Sequence, residues 1–376
     1  MTRPIGRRPL LAALPAASLL AIPAARADGD PLKTRTAVLA LRDFRLESGT
    51  VMPEVRIAYE TYGSLAPDGR NAVLLTHGYT SSQHMAGKRG ANGAEGSWDG
   101  LVGPGKAIDT DRLFVVSSNM LGSSYGSTNP AATNPATGKP YGPDFPDITL
   151  GDIVNAQKAL LDQLGVRHLV AVAGPSYGGY QAFQWAIAYP DYMDGVVAVV
   201  SAPRGSGGDA AVKSLVDFLA RDPNWNGGRY YDKGGVTAIL TDMRVATLKR
   251  YGIDEQLAAR FPDKEAREAE IRRRAEGWSK VFDANSLVVL RKAQVRFNAE
   301  PDMAKIKARV LYVLSRTDKV FPPSIAPDVM AKLKAAGVDA AYFEIDSDLG
   351  HSASGLDAAK WAPRLAAFMA SIQKRS

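Results

Sequence analysis

Short apolar runs alternate along this chain with longer segments whose apolar residues recur every three to four positions. Ala72 to Thr76, Leu113 to Ser118, His168 to Ala173, Gly195 to Ser201, Arg309 to Ser315 and Ala341 to Ile345 have the length and branching of buried strands. Upstream, Phe44 to Ser48 and Glu54 to Tyr62 predict a hairpin. In its second arm Val55, Ile57, Tyr59 and Thr61 alternate with Arg56, Ala58 and Glu60, as in an antiparallel edge with one wetter face. Thr149-x-x-Asp152 is a capping-box pattern that opens a helix through Ile153, Ala156, Leu160 and Leu164, with Gly165 ending it. A closing amphipathic helix is expected over Ala358 to Ile372. Strands alternating with helices predict an α/β fold, a mostly parallel central sheet flanked by helices on both faces. The alternation lapses from Pro203 to Ala304, where the chain is charged and helical, so residues 203–304 are expected to form a helical cap or lid inserted between two strands. Residues 28–202 and 305–376 then form the two parts of the core. Within the insertion, Asp263 to Ser279 is dense in Lys, Arg and Glu and is assigned to a solvated helix face.

The amino end does not fit this pattern. Arg3, Arg7 and Arg8 precede an apolar stretch from Leu10 to Ala24, and Ala25-Arg26-Ala27 offers a small-x-small cleavage site, so residues 1–27 are expected to be a signal peptide directing the chain to the periplasm or outside. Arg7-Arg8 is a partial match to a twin-arginine signal. Four of the 46 basic residues and none of the 39 acidic ones fall in this leader, which leaves 42 against 39 and lowers the net charge from +7 to +3. No basic stripe with interleaved aromatics remains, so no nucleic-acid partner is expected. No later stretch has the length of a membrane span. The absence of cysteine excludes disulfides, thiolate catalysis and Cys-ligated metals.

The candidate chemistry centres on Gly174-Pro175-Ser176-Tyr177-Gly178-Gly179, which lies between the run His168 to Ala173 and the helical Tyr180 to Ala186. A strand that reverses directly into a helix thrusts its middle residue out of the turn, and a Cβ at 174 or 178 would collide with neighbouring elements. The pattern is the nucleophile elbow of an α/β-hydrolase fold, with Ser176 as nucleophile. A serine hydroxyl needs a base and a carboxylate to orient that base, in the chain order Ser, Asp or Glu, His. Of four histidines, His77, His84 and His168 precede the serine, and only His351 follows the final strand. Asp318, directly after the strand Arg309 to Ser315, is preferred as the acid over Asp346 and Asp348, which share the loop of His351. The expected oxyanion donors are the backbone amides of Tyr177 and of Tyr79, in the loop His77-Gly78-Tyr79. No Walker A loop, dinucleotide fingerprint or His-rich metal spacing occurs, and no cofactor is expected.

Longer motifs are more specific. Ser97-Trp98-Asp99-Gly100-Leu101-Val102-Gly103-Pro104-Gly105, Ser118-Asn119-Met120-Leu121-Gly122, Asn134-Pro135-Ala136-Thr137-Gly138-Lys139-Pro140-Tyr141-Gly142 and Asp222-Pro223-Asn224-Trp225-Asn226-Gly227-Gly228 closely resemble the homoserine O-acetyltransferase family, with similarity running from about Phe44 to the carboxyl end. The resemblance implies a ping-pong serine mechanism, a lid over a deep tunnel, often a homodimer through that lid, and a triad of Ser176, Asp318 and His351. It also implies an arginine that grips the acceptor's carboxylate, at a position occupied here by Val216, and an aspartate for the amine after the histidine, where Ser352 stands. Lys213 or Arg204 are the nearby cations that could substitute. Loss of both anchors weakens a zwitterionic acceptor. The expectation is therefore an exported serine ester hydrolase acting on a small-molecule acyl ester. The alternative is an acyl-CoA-dependent O-acyltransferase of the homoserine O-acetyltransferase type, and the second a non-catalytic binding protein on the same fold.

Overall fold

The computed structural model describes residues 31–88 and 93–373; the expected leader lies outside them. Eight strands form the central sheet: β1 (Arg35–Arg45), β2 (Val51–Tyr62), β3 (Ala72–Thr76), β6 (Phe114–Ser118), β7 (Leu169–Pro175), β8 (Met193–Val199), β9 (Arg309–Ser315) and β10 (Ala340–Ile345). Two-residue strands β4 (Val102–Gly103) and β5 (Ile108–Asp109) pair separately in the long loop after β3. The sheet order is β1-β2-β6-β3-β7-β8-β9-β10. From β6 to β10 all pairs are parallel, and only β1 with β2 and β2 with β6 run antiparallel.

Side chains alternate faces along a strand, so each central strand feeds two cores. Leu74, Val172 and Val196 join Phe183 and Trp185 of the helix after β7 on one face. Val73, Leu75, Ala171 and Val197 join Trp98, Trp361 and Phe368 on the other. Burial on both faces is why these strands are nearly unbroken apolar runs. Helix α1 (Leu150–Gln163) begins with the expected capping box: the Asp152 amide donates to Thr149 Oγ1 at 3.0 Å, and the Thr149 amide to Asp152 Oδ2 at 2.9 Å. Helix α2 (Tyr177–Ala188) follows β7 without a loop.

Between β8 and β9 stand α3 (Gly208–Leu219), α4 (Thr237–Arg250), α5 (Ile253–Leu257), α6 (Lys264–Ser279) and α7 (Ala284–Arg296). Leu219, Trp225, Tyr230, Leu240, Phe282 and Leu287 give this insertion a small core of its own. On α6 only Ile271, Ala275 and Ser279 are buried, while Glu270 pairs with Arg273 and Arg274 along the exposed face. The core then resumes with α8 (Ala326–Ala335), a short α9 (Ala353–Leu356) and α10 (Ala362–Gln373).

Strand ends such as those of β2 and β8 move by two or three residues, and two boundaries differ more from expectation. The first hairpin arm runs over Arg35–Arg45 rather than Phe44 to Ser48, because Leu46 to Thr50 closes the turn, with the Leu46 amide donating to Thr50 O at 2.9 Å and Gly49 at φ +87°. The closing helix starts at Ala362, after a separate 3-10 turn at Ala358–Lys360. No helix among the described residues is long and apolar enough to cross a membrane.

Candidate active site

β7 ends at Pro175 and α2 begins at Tyr177, so Ser176 carries the whole reversal at φ +57°, ψ −119°. A side chain at positive φ is strained and persists only where its surroundings hold it. Here the Ser176 amide donates to Val199 O at 2.8 Å, and its carbonyl accepts from Ser201 Oγ at 2.7 Å and from the Gly179 amide at 2.9 Å. A Cβ on Gly174 would lie 2.2 Å from Thr76 Oγ1, and one on Gly178 2.1 Å from Thr76 O. The two glycines let the elbow settle against the end of β3, which brings the loop His77 to Thr80 beside the serine.

His351 sits in a 3-10 turn, Gly350–Ser352, beyond β10, and Asp318 in the loop beyond β9. Both are buried. His351 Nδ1–H donates to Asp318 Oδ2 at 2.8 Å, which leaves Nε2 as the acceptor. Asp318 Oδ1 takes the Val320 amide at 2.7 Å. Asp346 and Asp348 instead bind Arg316 at the surface. Ser176 and His351 line the same cavity, but among the described residues no hydrogen bond joins their side chains. Tyr251 and Phe321 pack against the imidazole, with ring centroids 4.6 and 5.8 Å away. Just beyond, Ser354 is bound by two indoles: Trp98 Nε1–H donates to its hydroxyl at 3.3 Å and Trp361 Nε1–H to its carbonyl at 2.9 Å.

Among the described residues neither the Tyr79 nor the Tyr177 amide donates to another protein group. Their rings stack at 5.8 Å, and their hydroxyls donate to carbonyls one turn apart on α7, Tyr79 to Leu287 O at 2.5 Å and Tyr177 to Leu290 O at 3.1 Å. Thr80, next in the loop, receives Arg244 Nη1–H on its hydroxyl at 2.8 Å and Trp278 Nε1–H on its carbonyl at 3.2 Å. The helical insertion thus holds this loop from three helices. On the inner side His77 Nδ1–H donates to Gly78 O at 2.8 Å while Nε2 accepts the Met120 amide at 3.2 Å. Burial pushes the His77 pKa down to about 4. The ring is therefore neutral and serves as a brace for the loop.

Two cavities meet at Ser176, Tyr79 and Tyr251. One, of about 280 Å³, is walled by Tyr177, Tyr180 and Phe321 together with Arg250 and Arg291 of the insertion. The other, of about 510 Å³, reaches past Trp98, Arg244, His351 and Ser352. Tyr251, Arg244 and Arg291 escape sequence reasoning: each lies on or beside a helix of the insertion, where an apolar or charged residue facing a cavity follows the same period as one facing core or solvent. Phe321 had a signal, its place three residues after Asp318.

This geometry fits the chain's similarities. Residues 71–358 match the family model described as alpha/beta hydrolase fold. A homoserine O-acetyltransferase of Symbiobacterium thermophilum is 39% identical over 336 residues, 83% of this chain and 88% of that protein. The chain belongs to the homoserine O-acetyltransferase family of α/β-hydrolase-fold enzymes. A homoserine O-succinyltransferase of Methylibium petroleiphilum is 36% identical over 352 residues, 87% of this chain and 91% of that one. Among solved structures, esterase E22 superposes with a TM-score of 0.83 at 31% identity, covering 89% of this chain and all of that one. The chain is thus similar both to proteins named for transfer and to a solved structure named for hydrolysis.

At the two positions where resemblance to the homoserine O-acetyltransferase family implies charged anchors, Ser352 lines the larger cavity, whereas Val216 lines neither, the cavity face of α3 being Ala211 and Leu215. Lys213 and Arg204 pair with Asp217 and Glu300 and line neither cavity.

Proposed function

We propose that the protein transfers an acyl group through a Ser176 acyl-enzyme, from an acyl ester or thioester to an alcohol. The observation that carries this reading is the buried His351–Asp318 pair in the cavity that also holds Ser176, in a chain whose curated relatives are O-acyltransferases. The hydrogen bond from Nδ1 leaves His351 Nε2 ready to accept a proton. As Ser176 Oγ bonds to the carbonyl carbon, its proton passes to Nε2, and the carbonyl oxygen gains negative charge facing the Tyr79 and Tyr177 amides. When the tetrahedral intermediate collapses, the bond to the leaving alcohol or thiol breaks and Nε2 returns the proton to it. An acceptor alcohol then gives its proton to Nε2, attacks the acyl-enzyme and leaves as the new ester, while Ser176 regains its hydrogen.

Hydrolysis, with water as acceptor, is the second reading. It is favoured by Ser352, which lines the larger cavity where the family resemblance implies an aspartate, and by the likeness to esterase E22. The deciding experiment offers p-nitrophenyl acetate with and without homoserine and identifies products by mass spectrometry, with Ser176→Ala and Asp318→Asn as controls. Ser176-dependent O-acetylhomoserine supports transfer. Acetate alone, at a rate that homoserine leaves unchanged, excludes homoserine as the acceptor and supports hydrolysis. Equal turnover by Ser176→Ala would overturn the acyl-enzyme altogether. Asp318→Asn is expected to lower kcat by roughly 10⁴-fold by leaving the imidazole in the wrong tautomer.

A further inference from the structure

The smaller cavity has an unbalanced charge. Among the described residues its wall carries the guanidinium groups of Arg250 and Arg291 and no Asp or Glu side chain. Arg250 is exposed, at the rim, whereas Arg291 is partly buried beside Tyr79, Tyr177 and Tyr180. Among the described residues Arg291 makes no ion pair; Nη1–H donates to Gln294 Oε1 at 2.9 Å, and Gln294 Nε2–H in turn reaches Tyr180 Oη at 3.4 Å. Other cations of the same helix behave differently, since Lys292 and Arg296 both bind Asp147. A guanidinium held in orientation by a neutral amide, with donors left over and no carboxylate within reach, is prepared for an anion.

Its position suits a substrate group. Arg291 follows Leu290 on α7, the helix whose carbonyls at 287 and 290 take the hydroxyls of the two tyrosines that offer amides at the elbow. One helical turn therefore fixes both the oxyanion site and the cation. We propose that Arg291 anchors a carboxylate borne by the group that fills this cavity, so that the substrate is anionic at a point removed from the reacting carbonyl. The proposal rests on the acyl-enzyme reading above. The cavity offers no counterion to an ammonium group, so a carboxylate without a neighbouring amine fits it better than a zwitterion.

The carboxylate has two sources, the acyl group or the acceptor alcohol, and two series of rate measurements separate them. In the first, p-nitrophenyl half-esters of malonic, succinic and glutaric acids are compared with the neutral esters of the same chain length. In the second, p-nitrophenyl acetate is the donor, and 4-hydroxybutyrate competes with butan-1-ol as acceptor. The expected result is a preference for the anionic member of one series by roughly 10- to 100-fold in kcat/KM, carried mainly in KM. Arg291→Met is expected to abolish that ratio and Arg291→Lys to restore part of it. Because the readout is a ratio within one protein, partial loss of folded enzyme does not alter it. Absence of anionic preference in both series, or a preference that survives Arg291→Met, would overturn the anchor. Turnover of the neutral esters that depends on Ser176 tests the acyl-enzyme separately, so failure of one reading is not mistaken for failure of the other.

Discussion

His77 shows how a single residue can be read correctly in type and incompletely in role. Its place directly after β3 marks it for the oxyanion loop, yet only the structure reveals that it is sealed from water with one nitrogen donating and the other accepting. Burial lowers its pKa from 6.5 to about 4. Below pH 6.5 the unfolded chain therefore binds a proton that the folded chain refuses, so this stabilisation is complete above that pH and is lost as the pH falls toward 4. Wild-type protein is expected to lose about 2 kcal/mol more than His77→Gln between pH 7.5 and pH 5 in urea unfolding. Equal losses would mean that the imidazole is not held neutral. Ser176, Asp318 and His351 could be picked as candidates because elbow chemistry and chain order restrict the choice, with only four histidines present, and the structure pairs His351 with Asp318 in a cavity shared with Ser176. Arg291 was not, since nothing in the sequence distinguishes a cation on α7 that faces a cavity from Lys292, which faces Asp147.

At the scale of elements, the central strands were legible because burial on both faces forces uninterrupted apolar runs. The hairpin arm β1 was displaced in the sequence reading because Ala37 to Leu41 is apolar throughout and lacks the alternation that marks β2. Insertion helices were recognisable as a group, but their orientation depends on hydrogen bonds that leave no periodic trace. The most consequential are those from Tyr79 and Tyr177 to α7. Replacing both hydroxyls, Tyr79→Phe with Tyr177→Phe, removes two neutral hydrogen bonds while keeping the ring stack. We expect kcat to fall about tenfold with little change in KM, and affinity for a boronic-acid analogue of the tetrahedral intermediate to fall in parallel. A change confined to KM would show that α7 shapes the cavity without aligning the amides.

For the whole molecule, a sheet between two apolar layers carries the candidate catalytic loops at the same end of its strands, while the insertion supplies walls and cations. In the proposed mechanism chemistry is thereby separated from selectivity: the segments after β7, β9 and β10 present Ser176, Asp318 and His351, and helices present Arg250 and Arg291. The leader expected over residues 1–27 bears on which acyl donors the enzyme meets. If it is cleaved as its Ala25-Arg26-Ala27 ending predicts, amino-terminal sequencing of protein recovered outside the cytoplasm will begin at Asp28. Recovery of intact Met1 protein solely from the cytoplasm would overturn that expectation.

The two indoles on Ser354 tie the turn of His351 to segments far apart in the chain, one before the elbow and one after the histidine itself. Synthesis proceeds from the amino end, so a growing polypeptide contains Ser176 long before it contains His351 or the Trp361 that binds Ser354. On the proposed roles, the nascent protein carries the serine without its base. On the proposed mechanism, reactivity arrives only with the closing stretch of translation, when serine and base can first meet.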